Sequence, residues 1–152
     1  MRKSNGTNNN RNKKTFKETL SNGFKSGLNT TWILSKIIIP VYFFITILKY
    51  TGILKWFSLK LAPAMGIFGL PGEAALVLVL GNGINIYAAI GAVASLTLNG
   101  KQITIIAVML SFSHSLFTET AVAKKTGISV AIVLFIRLSL AISSGIILNL
   151  VI

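Results

Sequence analysis

The stretch GLPGEAALVLVLGNGIN, residues 69–85, decides the fold because polar and helix-breaking residues bound a short apolar run on both sides. Pro71-Gly72-Glu73 is typical of a helix start, where an acidic side chain meets free backbone N–H groups and the positive end of the helix dipole. Gly81-Asn82-Gly83 is typical of a helix end or a turn. The run between them suits a buried strand or a short helix. A helix of about eight residues would be roughly 12 Å long.

The composition indicates that this short run lies in a membrane. The chain has 152 residues, of which 53% are hydrophobic and 12% charged, whereas soluble domains carry about 25% charged residues. Eight of the 15 Lys and Arg fall within residues 1–36, ahead of the long apolar segments. This asymmetry predicts a multi-pass protein of the cell membrane with a cytoplasmic N-terminus near anionic lipid, and argues against nucleic acid as a partner.

The order of polar and apolar segments predicts two regions. Residues 1–29 are basic and Asn-rich and predict a disordered tail, and residues 30–152 form the membrane domain. The alternative for 15–27 is a short helix on the membrane surface, because Phe16, Leu20 and Phe24 are four residues apart. The predicted segments are a crossing at 32–54, an interfacial turn at 55–68, short helical runs at 72–81 and 84–98, and membrane segments at 103–122 and 128–152. Either the two short runs together make one broken crossing, or the first is half of a re-entrant hairpin. The predicted fold is an all-α integral membrane protein with four to five membrane-embedded helical segments, including broken or re-entrant half-helices.

Polar side chains at the ends of the short helix are the first candidate site. An acid within a membrane segment usually faces a cavity or a partner, since burying a carboxylate in lipid is costly. Helices that break inside the bilayer often build the substrate site of secondary transporters. Glu73, Asn82 and Asn85 are therefore candidate substrate-binding residues. The alternatives are that Glu73 only caps its helix and that the asparagines only cap the next one.

The segment SFSHSLFTET, residues 111–120, is the second candidate site. A polar stripe on a membrane helix is expected to face the interior of the bundle; its members are Thr104, Ser111, His114, Ser115 and Thr118. Serine and threonine alone would do no more than join helices. His114, Ser115 and Glu119 are candidate substrate-binding residues. His114 and Glu119 are five residues apart, about 140° around a regular helix, so either the helix breaks near Thr118 or they contact different partners.

Arg137 lies too deep in the last segment to reach water easily, being its tenth residue, roughly 14 Å from its start. We expect it to form a structural ion pair with Glu119 or Glu73. The chain lacks cysteine, a nucleophile motif and a metal-ligand cluster. The sequence thus predicts neither an enzyme nor a bound metal or cofactor.

The two motifs together resemble a known family. GLPGEAALVLVLGNGINIYAAIGAV, followed by SFSHSLFTETAVAKKTG, resembles the nucleoside recognition or "Gate" domain over about residues 30–150. That domain also occurs in ferrous iron transporters, in spore maturation proteins and, more distantly, in concentrative nucleoside transporters. The resemblance implies a helical module of paired half-membrane hairpins with a substrate or gating site, at which a hairpin-tip glutamate contacts the substrate. By motif position this glutamate is Glu73, with Glu119 as the second choice.

The resemblance implies that the protein is a subunit of a small-solute transporter. Full transporters have two such units and this chain shows one, so we expect a homodimer, or a heterodimer with another Gate protein, in the lipid bilayer. The solute is a small molecule or ion, and the lack of the cysteine-bearing segment of the iron transporters speaks against iron. The alternative is a non-transporting membrane scaffold whose buried polar residues fasten helices to a partner.

Overall fold

The structure, a computed structural model, describes residues 16–152. All regular elements in this range are helices, which confirms the all-α prediction for it. The helices are α1 (Phe16–Tyr50), α2 (Ile53–Gly66), α3 (Ala74–Gly83), α4 (Ile86–Ser95), α5 (Gly100–Ser113), α6 (Leu116–Lys125) and α7 (Val130–Val151). Compact packing divides the described residues into a unit that ends at Ile33 and a second unit, residues 34–152, and the candidate functional site lies in the second unit.

The second half of the predicted disordered tail, residues 16–29, is helical in the structure. Residues 1–15 lie outside the described residues, whereas α1 is already helical from Phe16. Apolar residues recur every fourth position here, at Phe16, Leu20, Phe24 and Leu28. This spacing places them on one helix face, so the basic and polar composition did not prevent helix formation.

The predicted interfacial turn at 55–68 is wrong, because most of it is helix α2. The turn comes earlier, at Gly52, whose φ of 77° is a left-handed conformation that glycine adopts without strain. Pro63 and Gly66 lie in the last turn of α2. These two residues mark where α2 ends, and their presence did not prevent the helix from forming.

Within residues 16–152, three stretches are long and apolar enough to cross a bilayer: Phe16–Tyr50, Gly100–Lys125 (α5 and α6 together) and Val130–Val151. Large apolar side chains on α7, such as Phe135, Ile136 and Leu150, point outward and are more than half exposed, as expected for a surface that faces lipid. The inner side is a core of small and aliphatic side chains, with Val77 and Ile105 fully buried. This pattern is that of a membrane-embedded bundle.

The opening stretch forms α3, which folds back on α4 as a helical hairpin. Gly81 and Ala89, four residues before and after Asn85, face each other: a Cβ at Gly81 would lie 3.1 Å from the Ala89 Cβ. The 10 residues of α3 are about 15 Å long, half of a hydrocarbon core of about 30 Å. Of the two arrangements open at the sequence level, the structure therefore has the hairpin.

Both ends of this hairpin lie at one end of the α5–α7 pair. α5 and α7 run antiparallel, and the Lys101 ammonium donates to the Asn149 carbonyl at 3.1 Å. The Asn149 amide also donates to the Ile67 carbonyl, at 3.2 Å, just before the hairpin begins. After the hairpin, Asn99 caps the start of α5. The hairpin tip is therefore directed from this end toward the middle of the α5–α6 stretch.

Candidate functional site

Two helix interruptions meet at the hairpin tip. Within the stretch Gly100–Lys125, α5 ends at Ser113 and α6 begins at Leu116. His114 is extended, and Ser115 adopts a left-handed conformation with φ of 55° and ψ of 39°. The freed N–H of Ser115 donates to the carbonyl of Gly81 on α3, at 2.9 Å. One backbone hydrogen bond thus joins the two breaks, about halfway along a stretch long enough to span a membrane.

The break lies before the expected position near Thr118, and side chains around it compete with the helical backbone. The Ser113 hydroxyl is buried and donates to the Met109 carbonyl at 3.0 Å. The His114 ring nitrogen Nδ1 lies 2.8 Å from the Leu110 carbonyl oxygen. Because a carbonyl only accepts, this contact is a hydrogen bond in the form of the ring that carries a proton on Nδ1.

Arg137 of α7 closes the break from the other side. Its Nε donates to the Phe112 carbonyl at 2.6 Å, and its Nη2 donates to the His114 carbonyl at 3.3 Å. Its Nη1 pairs with the Glu119 carboxylate in the first turn of α6. Of the two acids that the sequence offers as partners, the structure pairs Arg137 with Glu119. The guanidinium thereby neutralises Glu119 and satisfies carbonyls that a broken helix leaves without donors.

The hairpin tip contributes Gly81, Asn82 and Asn85. A Cβ at Gly81 would lie 2.6 Å from the end of the Leu110 side chain, so any larger residue would force this buried side chain to shift. The side-chain oxygen of Asn82 is buried and has no hydrogen-bond donor among residues 16–152. Asn85 is the N-cap of α4, and its Oδ1 accepts from the Ala88 N–H at 3.0 Å.

The capping role of Asn85 gives a direct prediction. Asn85→Ala should lower the free energy of unfolding by about 1 kcal/mol, because the first turn of α4 loses its side-chain acceptor. Asn85→Ser keeps a side-chain acceptor without adding a charge and should stay within about 0.5 kcal/mol of the parent protein. Chemical denaturation of the purified protein in detergent measures both variants. Equal losses for the two variants would contradict a capping role.

An apolar groove opens beside the meeting point of the breaks. Its volume is about 650 Å³, and it is bounded by α2, α3, α6 and α7. Asn82 and Thr120 are the polar side chains among its lining residues, which otherwise include Leu61, Met65, Leu78, Leu116, Phe117, Leu134 and Leu138. The groove has the dimensions and apolar character of small-molecule sites, with few polar groups to orient a ligand.

The structure brings together four of the predicted substrate-binding residues and separates two. Asn82, His114, Ser115 and Glu119 surround the meeting point of the breaks. Glu73 lies eight residues before Gly81, about 12 Å along the axis of α3, at the base of the hairpin. It occupies the N-cap position without forming a side-chain cap hydrogen bond. The oxygen of Asn85 is engaged in its own cap.

The predicted polar stripe does not face the interior as a whole. Thr104, Ser111 and Thr118 are exposed, and the hydroxyls of Thr104 and Ser111 bond to carbonyls of their own helix. The break rotates α6 relative to α5. Residues that would share one face of a regular helix therefore lie on different faces of these two helices. Sequence reasoning also missed the backbone groups of the site, the carbonyls of Gly81, Phe112 and His114. A carbonyl is present at every position, so no residue pattern marks these three.

Comparison with known families agrees with this architecture. Residues 31–148 match the Gate family, which is described as "Nucleoside recognition". The chain belongs to the Gate family. The match spans both helix breaks and α7 up to its last turn.

Two relatives extend the comparison. The chain is 46% identical over 129 residues, 85% of its length, to the "uncharacterized membrane protein YvoD" of Bacillus subtilis strain 168. It is 29% identical over 92 residues, 60% of its length, to the "Fe(2+) transporter FeoB" of Legionella pneumophila strain Lens. These matches cover 41% and 12% of the two relatives, so the chain spans less than half of the length of either. No solved structure matches this Gate protein.

Proposed function

We propose that this Gate protein is one half of a small-solute membrane transporter, and that the solute passes the point where the two helix breaks meet. The second half is a further Gate unit, either a second copy of this chain or a companion protein. The protein lies in the cell membrane, and the basic residues of positions 1–36 keep its N-terminus on the cytoplasmic side.

The junction of the two breaks is the observation that carries this proposal. The Ser115 N–H and the Gly81 carbonyl meet about halfway along a stretch long enough to span a bilayer. Broken backbone at that depth is tolerated only where it lies within protein or lines a water-filled cavity. Interrupted helices that meet near the midplane are a common way for secondary transporters to form a substrate site.

The relatives support a transport role and a second unit. One relative is named as an Fe(2+) transporter, which links the domain to movement of solutes across membranes. The match to the Bacillus relative covers 41% of that protein, which leaves room there for another unit of similar size. The groove beside the junction is open on one side in the single chain, and a second unit would cover it.

Within this proposal the four residues around the junction, Asn82, His114, Ser115 and Glu119, contact the solute. Asn82 orients it from the groove together with Thr120, and the other three contact it at the α5–α6 break. Glu73 stands about 12 Å away at the base of the hairpin, where it would attract or release the solute at the mouth of the path. This assignment separates the roles of the two acids.

Uptake into proteoliposomes tests the proposal. The panel of solutes contains nucleosides, small neutral solutes and Fe²⁺. The variants are Asn82→Ala and Glu119→Gln at the junction of the breaks, and Glu73→Gln at the mouth of the path. We expect the first two to reduce uptake about tenfold or more, which corresponds to about 1.4 kcal/mol of lost stabilisation. Thr104→Val is the matched control, because its exposed hydroxyl bonds within its own helix, and it should leave uptake within twofold.

A non-transporting scaffold predicts a different result. If no solute of the panel accumulates, while Glu119→Gln reduces the size of the particle that is extracted from the membrane, the polar residues serve assembly and the transport proposal is wrong. If uptake occurs and both Asn82→Ala and Glu119→Gln leave it unchanged, the path does not run past the junction.

A further inference from the structure

The environment of Arg137 resembles that of a bound cation. The α5 break leaves carbonyl oxygens at the C-terminal end of a helix, where the helix dipole also concentrates negative charge. Two of these oxygens, from Phe112 and His114, accept from the guanidinium, and the Glu119 carboxylate completes the set. Three oxygen ligands, one of them charged, thus surround a single positive group.

Carbonyl and carboxylate oxygens at an interrupted helix are the donor set that takes an alkali cation. In transporters built from discontinuous helices, unwound carbonyls and half-helix C-termini coordinate the coupling Na⁺. In this chain the corresponding oxygens are already occupied by a side chain from the neighbouring helix. The guanidinium is charged at every physiological pH, and its 16% exposure shows that it lies largely inside the protein.

We propose that Arg137 is a tethered cation that takes the place of a free coupling ion at the α5–α6 break. The break is therefore held in its present shape without Na⁺ or K⁺. The part of this inference that concerns solute movement rests on the proposed transport function: uptake by this chain proceeds without a Na⁺ gradient. The part that concerns the break is independent of transport.

Removal of the tethered charge should create a site for a free cation. Arg137→Gln keeps most of the side-chain length and removes the charge, so the oxygens of Phe112, His114 and Glu119 are left for an ion. We expect this variant to unfold at a temperature about 3 °C or more higher in NaCl than in choline chloride at equal ionic strength. The wild-type protein should unfold at the same temperature in both salts.

Two further variants serve as controls. Arg137→Lys keeps a tethered positive charge and should show no difference between the salts. Arg137→Gln combined with Glu119→Gln lacks the charged ligand and should lose the difference that the single variant gains. If Arg137→Gln cannot be purified in choline chloride, recovery of folded protein in NaCl or in low millimolar guanidinium chloride supports the proposal, and loss in all three salts overturns it.

Three other results overturn the inference. They are a wild-type protein that NaCl stabilises over choline chloride, an Arg137→Gln variant with no salt preference, and wild-type uptake that requires Na⁺. Absence of uptake for every solute would instead contradict the proposed transport function and leave the thermal result intact. The two failures are therefore distinguishable.

Discussion

Gly72→Ala is expected to lower the free energy of unfolding by about 3 kcal/mol or more, the largest effect of any single methyl group added to the hairpin. A Cβ at this position would overlap the backbone carbonyl of Ser58 on α2. Because a backbone carbonyl cannot rotate away as a side chain can, α2 and the start of α3 must move apart. The midpoint of denaturation in detergent measures the loss.

Gly66→Ala is the matched control for this experiment. A Cβ at Gly66, at the end of α2, meets no heavy atom within 4 Å. Alanine is favoured over glycine in a helix by about 0.5–1 kcal/mol, so the control should be neutral or slightly stabilising. A Gly72→Ala protein as stable as the control would mean that α2 does not approach the hairpin as closely as described.

Arg137→Met is expected to lower the free energy of unfolding by about 3 kcal/mol. The Phe112 carbonyl, in an exposed contact, and the His114 carbonyl, in a part-buried one, lose their charged donor, and a backbone acceptor left without a partner away from water costs about 1–3 kcal/mol. Glu119→Gln should cost about 1 kcal/mol, because the Glu119 side chain is 42% exposed, which weakens the ion pair, and the glutamine oxygen still accepts from Arg137. Denaturation of both single variants and of the double variant measures these values.

The double-mutant cycle separates the ion pair from the other roles of Arg137. We expect a coupling energy of about 1 kcal/mol between Arg137 and Glu119, with most of the Arg137→Met loss remaining in the Glu119→Gln background. That remainder is the contribution of the two carbonyls. A loss that disappears entirely in the Glu119→Gln background would show that the ion pair alone matters and that the carbonyl contacts contribute nothing.

The hairpin tip and Arg137 hold the α5–α6 break from opposite sides. The hydrogen bond between Ser115 and Gly81 and the contacts of Arg137 both act on the α5–α6 break, one from the hairpin and one from α7. A movement of the hairpin tip would therefore change the break. We expect variants of Arg137 to alter both stability and uptake, whereas Asn82→Ala should alter uptake with a smaller effect on stability.

The sequence alone determined the class of the protein and the elements that surround its site. Low charge and long apolar runs indicated a membrane-embedded helical bundle, since these properties depend on composition. Glycine and asparagine positions predicted the ends of α3, because turn chemistry acts over a few residues. The same local signals identified Asn82, His114 and Glu119 as polar groups that a membrane segment must partner.

Only the tertiary structure decided how these elements meet. Local chemistry does not encode the position of the break at His114–Ser115, the return of α4 along α3, or the choice of Glu119 over Glu73 as the partner of Arg137. The break and the ion pair depend on contacts between residues far apart in the chain, and the return of α4 depends on how it packs against α3. The Ser115–Gly81 and Arg137–Phe112 hydrogen bonds use backbone carbonyls, which every residue carries, and packing of whole helices selects which of them are within reach.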